Sequence, residues 1–306
     1  MHSTFEDDEE SIGHLQEVFG YILTGDYSIQ KIPMFIGKTR AGKSIAAWVL
    51  CELVGKHNVS SPSLDHLGQH FGLASTVDKR LCYIPDVRIN DGRRKAKAKE
   101  ALLKISGRDQ LTIGVKYKQD WVGYLDAKLL IISNEAPKLE DISQALTERY
   151  VPVVFNNSFL GREDIELTKK LRPELPGILN WSVEGYKRLL ERGKFELPQS
   201  SKLKLEELRD LSSPVKVFFD DNFVLDPNGS IDRQDVGDMW GEFCERMRFT
   251  ASFKSNQQLY ADILQVAEGH VECKRGTTGK RRYQFFGMQR SSDAMDVPKV
   301  DSSHKY

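Results

Sequence analysis

The chain has 306 residues, of which 40% are hydrophobic, and its basic and acidic side chains are equal in number at 44 each. This length corresponds to about two domains, and the balanced charge excludes a general attraction to polyanions, so any nucleic-acid contact must come from local basic patches. The four cysteines are scattered without a C-x-x-C pair. This spacing argues against a disulfide framework or a zinc site and favours a reducing cytoplasm. The acidic N-terminus has no signal-peptide pattern, and no apolar run has the length of a membrane span, so no membrane partner is expected.

The first segment has the pattern of an amphipathic helix. Over residues 4–25, Leu15, Val18, Phe19 and Ile22 recur with helical spacing, and acidic residues come early, where the helix dipole favours them. The sequence therefore predicts one helix that runs to a glycine at its end.

A phosphate-binding motif follows this helix. The pattern G-x-x-x-x-G-K-[ST] is formed by Gly37, Lys38, Thr39, Arg40, Ala41, Gly42, Lys43 and Ser44. An apolar strand is predicted before the motif and an apolar helix at 45–54, so backbone N–H groups and a helix N-terminus would face the phosphates. Lys43 would reach the β- and γ-phosphates, and Ser44 would hold Mg²⁺. The sequence predicts ATP and Mg²⁺ binding; the alternative is a glycine-containing turn with a surface lysine.

Two later strands end in polar side chains of the kind that an ATPase needs. A strand at 79–84 leads to Asp86, which could be a second Mg²⁺ ligand or could open a turn. A strand at 127–133 leads to Asn134, whose amide could hydrogen-bond the γ-phosphate and the attacking water or could be a turn residue. Because strands and helices alternate over 31–157, the predicted fold class is α/β with a largely parallel sheet.

In this order the motifs resemble the superfamily 3 helicases, specifically the helicase part of phage and plasmid primase–helicase proteins, over about residues 10 to 288. The segments that carry the resemblance are QKIPMFIGKTRAGKS, KRLCYIPD, KLLIISNEAP, ALTERYVPVVF and PGILNWSVEGYKRLLERGKF. The resemblance implies a P-loop (AAA+-like) ATPase core with an N-terminal helical collar, Walker B and sensor residues at Asp86 and Asn134, and assembly into a hexameric ring.

The resemblance also implies an arginine finger at Arg149. The family often has two adjacent arginines there, whereas Glu148 precedes Arg149 in this chain. A finger that acts in trans requires an oligomer; the alternative is an ion pair of Arg149 within its own domain. The family also usually has a more acidic Walker B end, so the water-activating acid is left open, with Asp91 as a weak candidate.

A β-hairpin is predicted over 111–121, and the resemblance implies that it projects into the central pore of the ring. Lys116 and Lys118 flank Tyr117 there, which joins positive charge to a stacking surface for single-stranded DNA. The alternative is a solvated β-ribbon with lysines on its surface.

The last domain has the pattern of a winged helix. Helices are predicted at 214–223, 236–247 and 256–266, a turn is predicted at Gly229, and two strands surround a Gly-Thr-Thr-Gly-Lys tip. The basic residues of this wing, predicted to contact duplex DNA, are Lys274, Arg275, Lys280, Arg281 and Arg282. The alternative is a protein-interaction module.

The predicted organisation is a collar segment at 1–25, an ATPase core at 26–160 and a helical segment at 161–212 with a break at Pro176–Gly177. A winged-helix domain follows at 213–290 and a disordered tail at 291–306.

The predicted function is an ATP-dependent DNA helicase in the replication of a phage, plasmid or mobile element, located in the cytoplasm of the host. Expected partners are DNA, other copies of the chain, and a primase in the same or another chain. The alternatives are an ATPase that moves on DNA without unwinding it, or a DNA-binding protein with a nucleotide switch.

Overall fold

A computed structural model describes residues 2–85, 92–134, 144–212, 214–247, 256–276 and 282–291. The chain divides into two compact units, Met1–Ser212 and Ser213–Tyr306. Among the helices in these ranges, none combines the length and the apolarity needed to cross a membrane.

The first unit alternates helices with strands. In chain order its elements are α1 (His2–Phe5), α2 (Glu9–Leu23), β1 (Ile32–Gly37), α3 (Lys43–Val54), β2 (Val59–Ser60), α4 (Leu64–Leu67), β3 (Leu81–Ile84), α5 (Gly92–Gly107), β4 (Leu111–Ile113), β5 (Trp121–Gly123), β6 (Lys128–Ser133), α6 (Gln144–Thr147), β7 (Tyr150–Phe155), α7 (Leu167–Leu171), α8 (Leu175–Arg192) and α9 (Gln199–Ser212). Short 3₁₀ turns lie at Lys56–Asn58, Ala74–Thr76 and Arg172–Glu174.

Five of these strands form a parallel sheet in the order β2-β3-β6-β1-β7. The strand β1 is therefore flanked by β6 on one side and by β7 on the other. Its residues pair in register with both neighbours, as Ile36 does with Ser133 of β6 and Val154 of β7. The predicted α/β fold with a parallel sheet is confirmed.

Both faces of this sheet are covered, which explains why its strands are continuous apolar runs. Met34 and Ile36 point to one face and pack with residues of α5 and α9, whereas Phe35 points to the other face with α2 and α3. All three side chains are almost fully buried. Burial of such a side chain stabilises the fold by about 1.5–3 kcal/mol.

The predicted first helix is interrupted near its start, which corrects the boundary at residue 4. Glu6 and Asp7 have left-handed backbones, with φ of 53° and 61°. The Asp8 carboxylate then accepts hydrogen bonds from the backbone N–H groups of Glu10 and Ser11, at 3.1 and 3.2 Å. Because an aspartate in this position satisfies free N–H groups of a helix end, α2 begins after Asp8.

The predicted apolar face of α2 is buried as expected, but the opposite side of the helix is buried as well. There α2 crosses α8 closely: a Cβ added at Gly20 would lie 2.4 Å from the Ser182 carbonyl oxygen. Beside the crossing, the Glu17 carboxylate lies 2.5 Å from the Arg192 guanidinium. This helix is therefore part of the core of the first unit, and a collar role between subunits stays a prediction.

The helical break that the sequence predicts at Pro176–Gly177 lies before these residues. Both residues lie in the first turn of α8, and the interruption comes before them, at Arg172–Glu174. Proline is tolerated in a first helical turn because its missing N–H would have no partner there.

The second unit has the element order α-β-α-α-β-β. Its elements are α10 (Pro214–Asn222), β8 (Phe223–Asp232), α11 (Arg233–Met247), α12 (Asn256–Val266), β9 (Glu272–Arg275) and β10 (Tyr283–Arg290). The strands form an antiparallel sheet in the order β8-β10-β9. Phe218, Trp240 and Phe285 lie in the hydrophobic core of this unit. Gly229 lies within β8 rather than between elements, although the pairing of β8 with β10 is irregular there.

Candidate functional site

The loop that carries the phosphate-binding motif joins the end of β1 to the start of α3, as predicted. Gly37 has φ of +143°, and a Cβ there would lie 2.0 Å from the Phe155 carbonyl oxygen, so no other residue fits. Gly42 has φ of +94° and is the N-cap of α3, without a side-chain capping hydrogen bond. The two glycines thus shape a tight turn that leads to an uncapped helix N-terminus, an arrangement that favours an anion.

Lys43 is buried at the centre of this loop, with 5% of its surface exposed. Its Nζ donates hydrogen bonds to the carbonyl oxygens of Gly37 and Lys38, at 2.7 and 2.6 Å. Burial lowers the pKa of the Lys43 ammonium. Because carbonyl oxygens do not neutralise its charge, a phosphate in the loop would interact with it more strongly than they do.

The other motif residues differ in exposure. Ala41 is buried, while the side chains of Lys38, Thr39, Arg40 and Ser44 are exposed. Ser44 lies in the first turn of α3, directly after the buried lysine. Its hydroxyl is therefore accessible to a ligand held by the loop.

A segment after β7 supports the loop from the side, and the sequence analysis missed it. The Ser158 hydroxyl donates to the Thr39 carbonyl oxygen at 2.8 Å, and the Phe159 N–H donates to the Arg40 carbonyl oxygen at 3.0 Å. Glu163 also lies 3.7 Å from the Arg40 guanidinium. The one signal in the sequence for this support was the run of polar residues directly after β7, the strand that lies beside β1.

Asn134 lies next to this loop. It follows Ser133, the register partner of Ile36, and its side chain is exposed. The end of β6 therefore places the amide beside the point where β1 enters the loop, at the sheet edge where α/β proteins bind ligands.

The next strand in the sheet, β3, ends at Ile84, which pairs with Ile131 of β6. The two carboxylates proposed from the sequence, Asp86 and Asp91, lie outside the described residues. Their roles stay predictions.

Arg149 lies at the opposite edge of the sheet. It directly precedes β7, and its carbonyl oxygen accepts a hydrogen bond from the Ile32 N–H at 2.7 Å. The loop begins at Gly37 of β1, which pairs with Phe155 at the other end of β7, six residues or roughly 20 Å from Arg149. No side chain spans this distance, so Arg149 cannot reach the phosphate-binding loop of its own subunit.

The side chain of Arg149 is held within its own unit, and among the described residues its contacts are hydrogen bonds rather than an ion pair. Its Nη1 donates to the Leu103 carbonyl oxygen at 2.7 Å and to the Ser106 hydroxyl at 2.8 Å, both in the last two turns of α5. The acidic neighbour Glu148 pairs instead with Arg209, at 2.8 Å.

The predicted hairpin is confirmed: β4 pairs with β5 in antiparallel register, with Ile113 opposite Trp121. Tyr117 lies in the connection with φ of +61°, and its side chain is fully exposed. Lys116 and Lys118 are also exposed. The hairpin thus presents two cations around a free aromatic ring, and its contact with DNA stays a prediction.

The structure describes three basic residues of the predicted wing, and each of them contacts an acidic or aromatic side chain. Lys274 lies 2.9 Å from Glu272, Arg282 lies 3.9 Å from Asp232, and the Arg275 guanidinium is 5.7 Å from the centre of the Tyr283 ring. Exposed pairs of this kind contribute little and can be exchanged for a phosphate. Lys280 and Arg281 lie outside the described residues.

Comparison with known proteins identifies likenesses in sequence and fold. Residues 35–149 match a family of unknown function (DUF5906). An apo structure of the NrS-1 C-terminal region (305–718) aligns over 93% of this chain and 72% of that chain, with a TM-score of 0.59 and 14% identity. A second apo structure of the same region aligns over 94% and 74%, with a TM-score of 0.58 and 14% identity. At these identities the likeness is one of fold.

A JCV helicase with a bound thiazolopyridine compound also aligns, over 69% of this chain and 61% of that chain. The identity is 15% and the TM-score is 0.35, so the alignment carries no argument about this chain.

Proposed function

We propose that the protein is an ATP-dependent DNA helicase of the superfamily 3 type, which acts in the replication of a phage, plasmid or mobile element. The observation that carries this proposal is the buried Lys43 ammonium inside a glycine-shaped loop between β1 and α3. A buried cation whose hydrogen bonds to the described residues all go to uncharged oxygens, at an uncapped helix N-terminus, is suited to a triphosphate.

The proposed ATP site uses residues that follow three neighbouring strands in the sequence, β1, β6 and β3. Lys43 would contact the β- and γ-phosphates in place of the carbonyl oxygens that it contacts now, and Asn134 would orient the attacking water. Ser44 and Asp86 would hold Mg²⁺, which would offset the negative charge that develops on the phosphoryl group. The exposed hydroxyl of Ser44 at the start of α3 fits that role.

The proposed site is completed by a second subunit. Because Arg149 lies at the sheet edge away from its own loop, it can act on ATP only across a subunit boundary. An arginine in this role stabilises charge on the transferring phosphoryl group. We therefore infer a homo-oligomer, and the family resemblance favours a hexameric ring.

In such a ring the two DNA contacts would have different tasks. The hairpin residues Lys116, Tyr117 and Lys118 would grip a single strand in the pore, since exposed cations and a free aromatic ring suit backbone and base. The second unit would contact duplex DNA through its basic wing, whose described members are Lys274, Arg275 and Arg282.

The test is strand displacement from a forked DNA duplex, measured with ATP and Mg²⁺ for the wild type and for Lys43→Ala. We expect displacement by the wild type and none by the variant. ATP hydrolysis that single-stranded DNA stimulates, without displacement, would instead indicate an ATPase that moves on DNA. ATP binding without turnover would indicate a nucleotide switch, and neither binding nor turnover would overturn the ATP site.

A further inference from the structure

The contact between Arg149 and α5 is fixed from both sides. The Ser106 hydroxyl donates its own proton to the Leu102 carbonyl oxygen at 2.6 Å, so its oxygen is left to accept from the Arg149 guanidinium. Ser106 is buried, with 8% of its surface exposed. A Cβ added at Gly107 would lie 3.0 Å from Arg149 Nη1, so the guanidinium also fits closely against the helix backbone.

The contact uses only part of the guanidinium. Both hydrogen bonds come from Nη1, and within the described part of the chain none comes from Nη2 or Nε. Arginine carries five N–H donors in a planar fork, so three of them remain for a second partner. The negative end of the α5 dipole lies at the same place and favours the positive charge.

The turn that holds Arg149 also leads into the hairpin. α5 ends at Gly107, the Asp109 N–H donates to the Lys104 carbonyl oxygen at 2.9 Å, and β4 begins at Leu111. The proposed DNA grip and the proposed arginine finger are therefore attached to one helix end.

We propose that the last turn of α5 positions Arg149 for the ATP bound to a neighbouring subunit, with Ser106 as the positioning residue. This inference rests on the proposed function. Held through Nη1, the guanidinium would present Nη2 and Nε to the transferring phosphoryl group. Its side chain is already ordered by α5, so no further conformational entropy is lost when it meets the phosphoryl group. Pre-ordered charge of this kind acts on the transition state more than on bound substrate.

The test is the steady-state ATPase of Ser106→Ala in the full chain. We expect kcat to fall about 5- to 10-fold, the effect of one hydrogen bond, while KM for ATP stays within about twofold. Ser106→Thr keeps the hydroxyl and should restore kcat. Ser182→Ala is the matched control, because Ser182 is a buried helical serine that donates to the Ile178 carbonyl oxygen and lies far from Arg149 in sequence.

Mixed assemblies separate positioning in trans from damage in cis. When Ser106→Ala subunits are mixed with Lys43→Ala subunits, an interface can join an intact loop to an Arg149 whose own Ser106 is present. We expect each such interface to turn over at the wild-type rate. If the rate of such an interface stays at the Ser106→Ala level in mixtures shown to co-assemble, the inference is overturned. An unchanged kcat in Ser106→Ala would overturn it as well.

Arg149→Ala distinguishes failure of this inference from failure of the proposed function. If Arg149→Ala lowers kcat by about 10³-fold while Ser106→Ala has no effect, the finger stands and the positioning role is wrong. If Arg149→Ala hydrolyses ATP normally, the finger itself is wrong, and the positioning role is lost with it.

Discussion

Among the residues of the first unit that the structure describes, two lysines are buried, and they differ in how far the sequence predicts their surroundings. For Lys43 the sequence predicts the surrounding loop and the contact with phosphates, because the motif encodes the turn, whereas the burial of its side chain comes from the structure. Lys128, at the start of β6, is 3% exposed; its Nζ donates to the Asp26 carbonyl oxygen and lies 3.9 and 4.1 Å from the centres of the Tyr21 and Tyr27 rings. Burial lowers the pKa of Lys128 to about 8. Its partners come from residues about 100 positions earlier, so no local pattern predicts them.

The protonation of His14 couples the stability of the first unit to pH. It is buried in α2, and its Nε2 lies 3.0 Å from the Pro152 carbonyl oxygen. Burial lowers its pKa from 6.5 to about 4, an effect that the contact with Pro152 partly opposes. The folded chain thus favours neutral His14, and the stability that this provides is lost as the pH falls from 6.5 towards 4. We expect the free energy of unfolding to drop by roughly 2 kcal/mol by about pH 5 through this residue.

The measurement is urea unfolding across this pH range for the wild type and for His14→Gln, which keeps a donor and does not titrate. The variant should lose that part of the pH dependence. His66→Gln, at an exposed histidine, is the control and should keep it. Equal pH dependence in the wild type and His14→Gln would contradict the prediction.

At the scale of elements, the close crossing of α2 and α8 depends on two glycines. A Cβ at Gly20 would lie 2.4 Å from the Ser182 carbonyl oxygen, and one at Gly185 would lie 2.5 Å from the Gln16 carbonyl group. Since the backbone of one helix fills the space beside each glycine, alanine there would push the helices apart. We expect Gly20→Ala and Gly185→Ala each to cost about 1–3 kcal/mol of stability, measured by urea unfolding.

Gly177, in the first turn of α8, provides the control, because nothing lies within 4 Å of an added Cβ there. Gly177→Ala should leave stability unchanged or raise it by up to about 1 kcal/mol, since alanine favours a helix. Equal losses from all three substitutions would show that the crossing is not the cause.

The hairpin between β4 and β5 carries the exposed lysines of the proposed DNA grip. Changing Lys116 and Lys118 to alanine should abolish DNA-stimulated ATPase and strand displacement, because the exposed cations that would hold the phosphate backbone are lost. Hydrolysis without DNA should persist.

The matched control changes Lys169 and Lys170 of α7, two exposed lysines that pair with Glu166 and Asp164 and lie outside the hairpin. That variant should retain both DNA-dependent activities. Normal unwinding by the hairpin variant would place the grip elsewhere.

These elements also show where sequence reasoning stops. The strands and the phosphate-binding loop were predictable, because buried parallel strands are apolar runs and the loop has a strict glycine pattern. The start of α2 was missed because an N-cap at Asp8 depends on the left-handed backbone of Glu6 and Asp7. The support that Ser158 gives to the loop was missed because it depends on which strand lies beside β1.

For the whole molecule, the main consequence of the fold is the distance between the two halves of the proposed ATP site. Gly37 and Lys43 lie at one edge of the parallel sheet, and Arg149 lies at the other. A single subunit therefore offers a phosphate-binding loop at one edge and an arginine at the opposite one. Repetition of such a subunit around an axis would join the two at every boundary, in the manner of a closed ring.

The proposed ATP site is tested most directly by the rate of phosphate release from ATP with Mg²⁺ and single-stranded DNA, compared between the wild type and Lys43→Ala. The substitution leaves the backbone of the loop in place and removes the buried ammonium. We predict DNA-stimulated turnover by the wild type and a loss of about 10²-fold or more in Lys43→Ala, which should remain as folded as the wild type by circular dichroism. Turnover near the wild-type rate in folded Lys43→Ala would contradict the assignment of the loop Gly37–Ser44 as the ATP site.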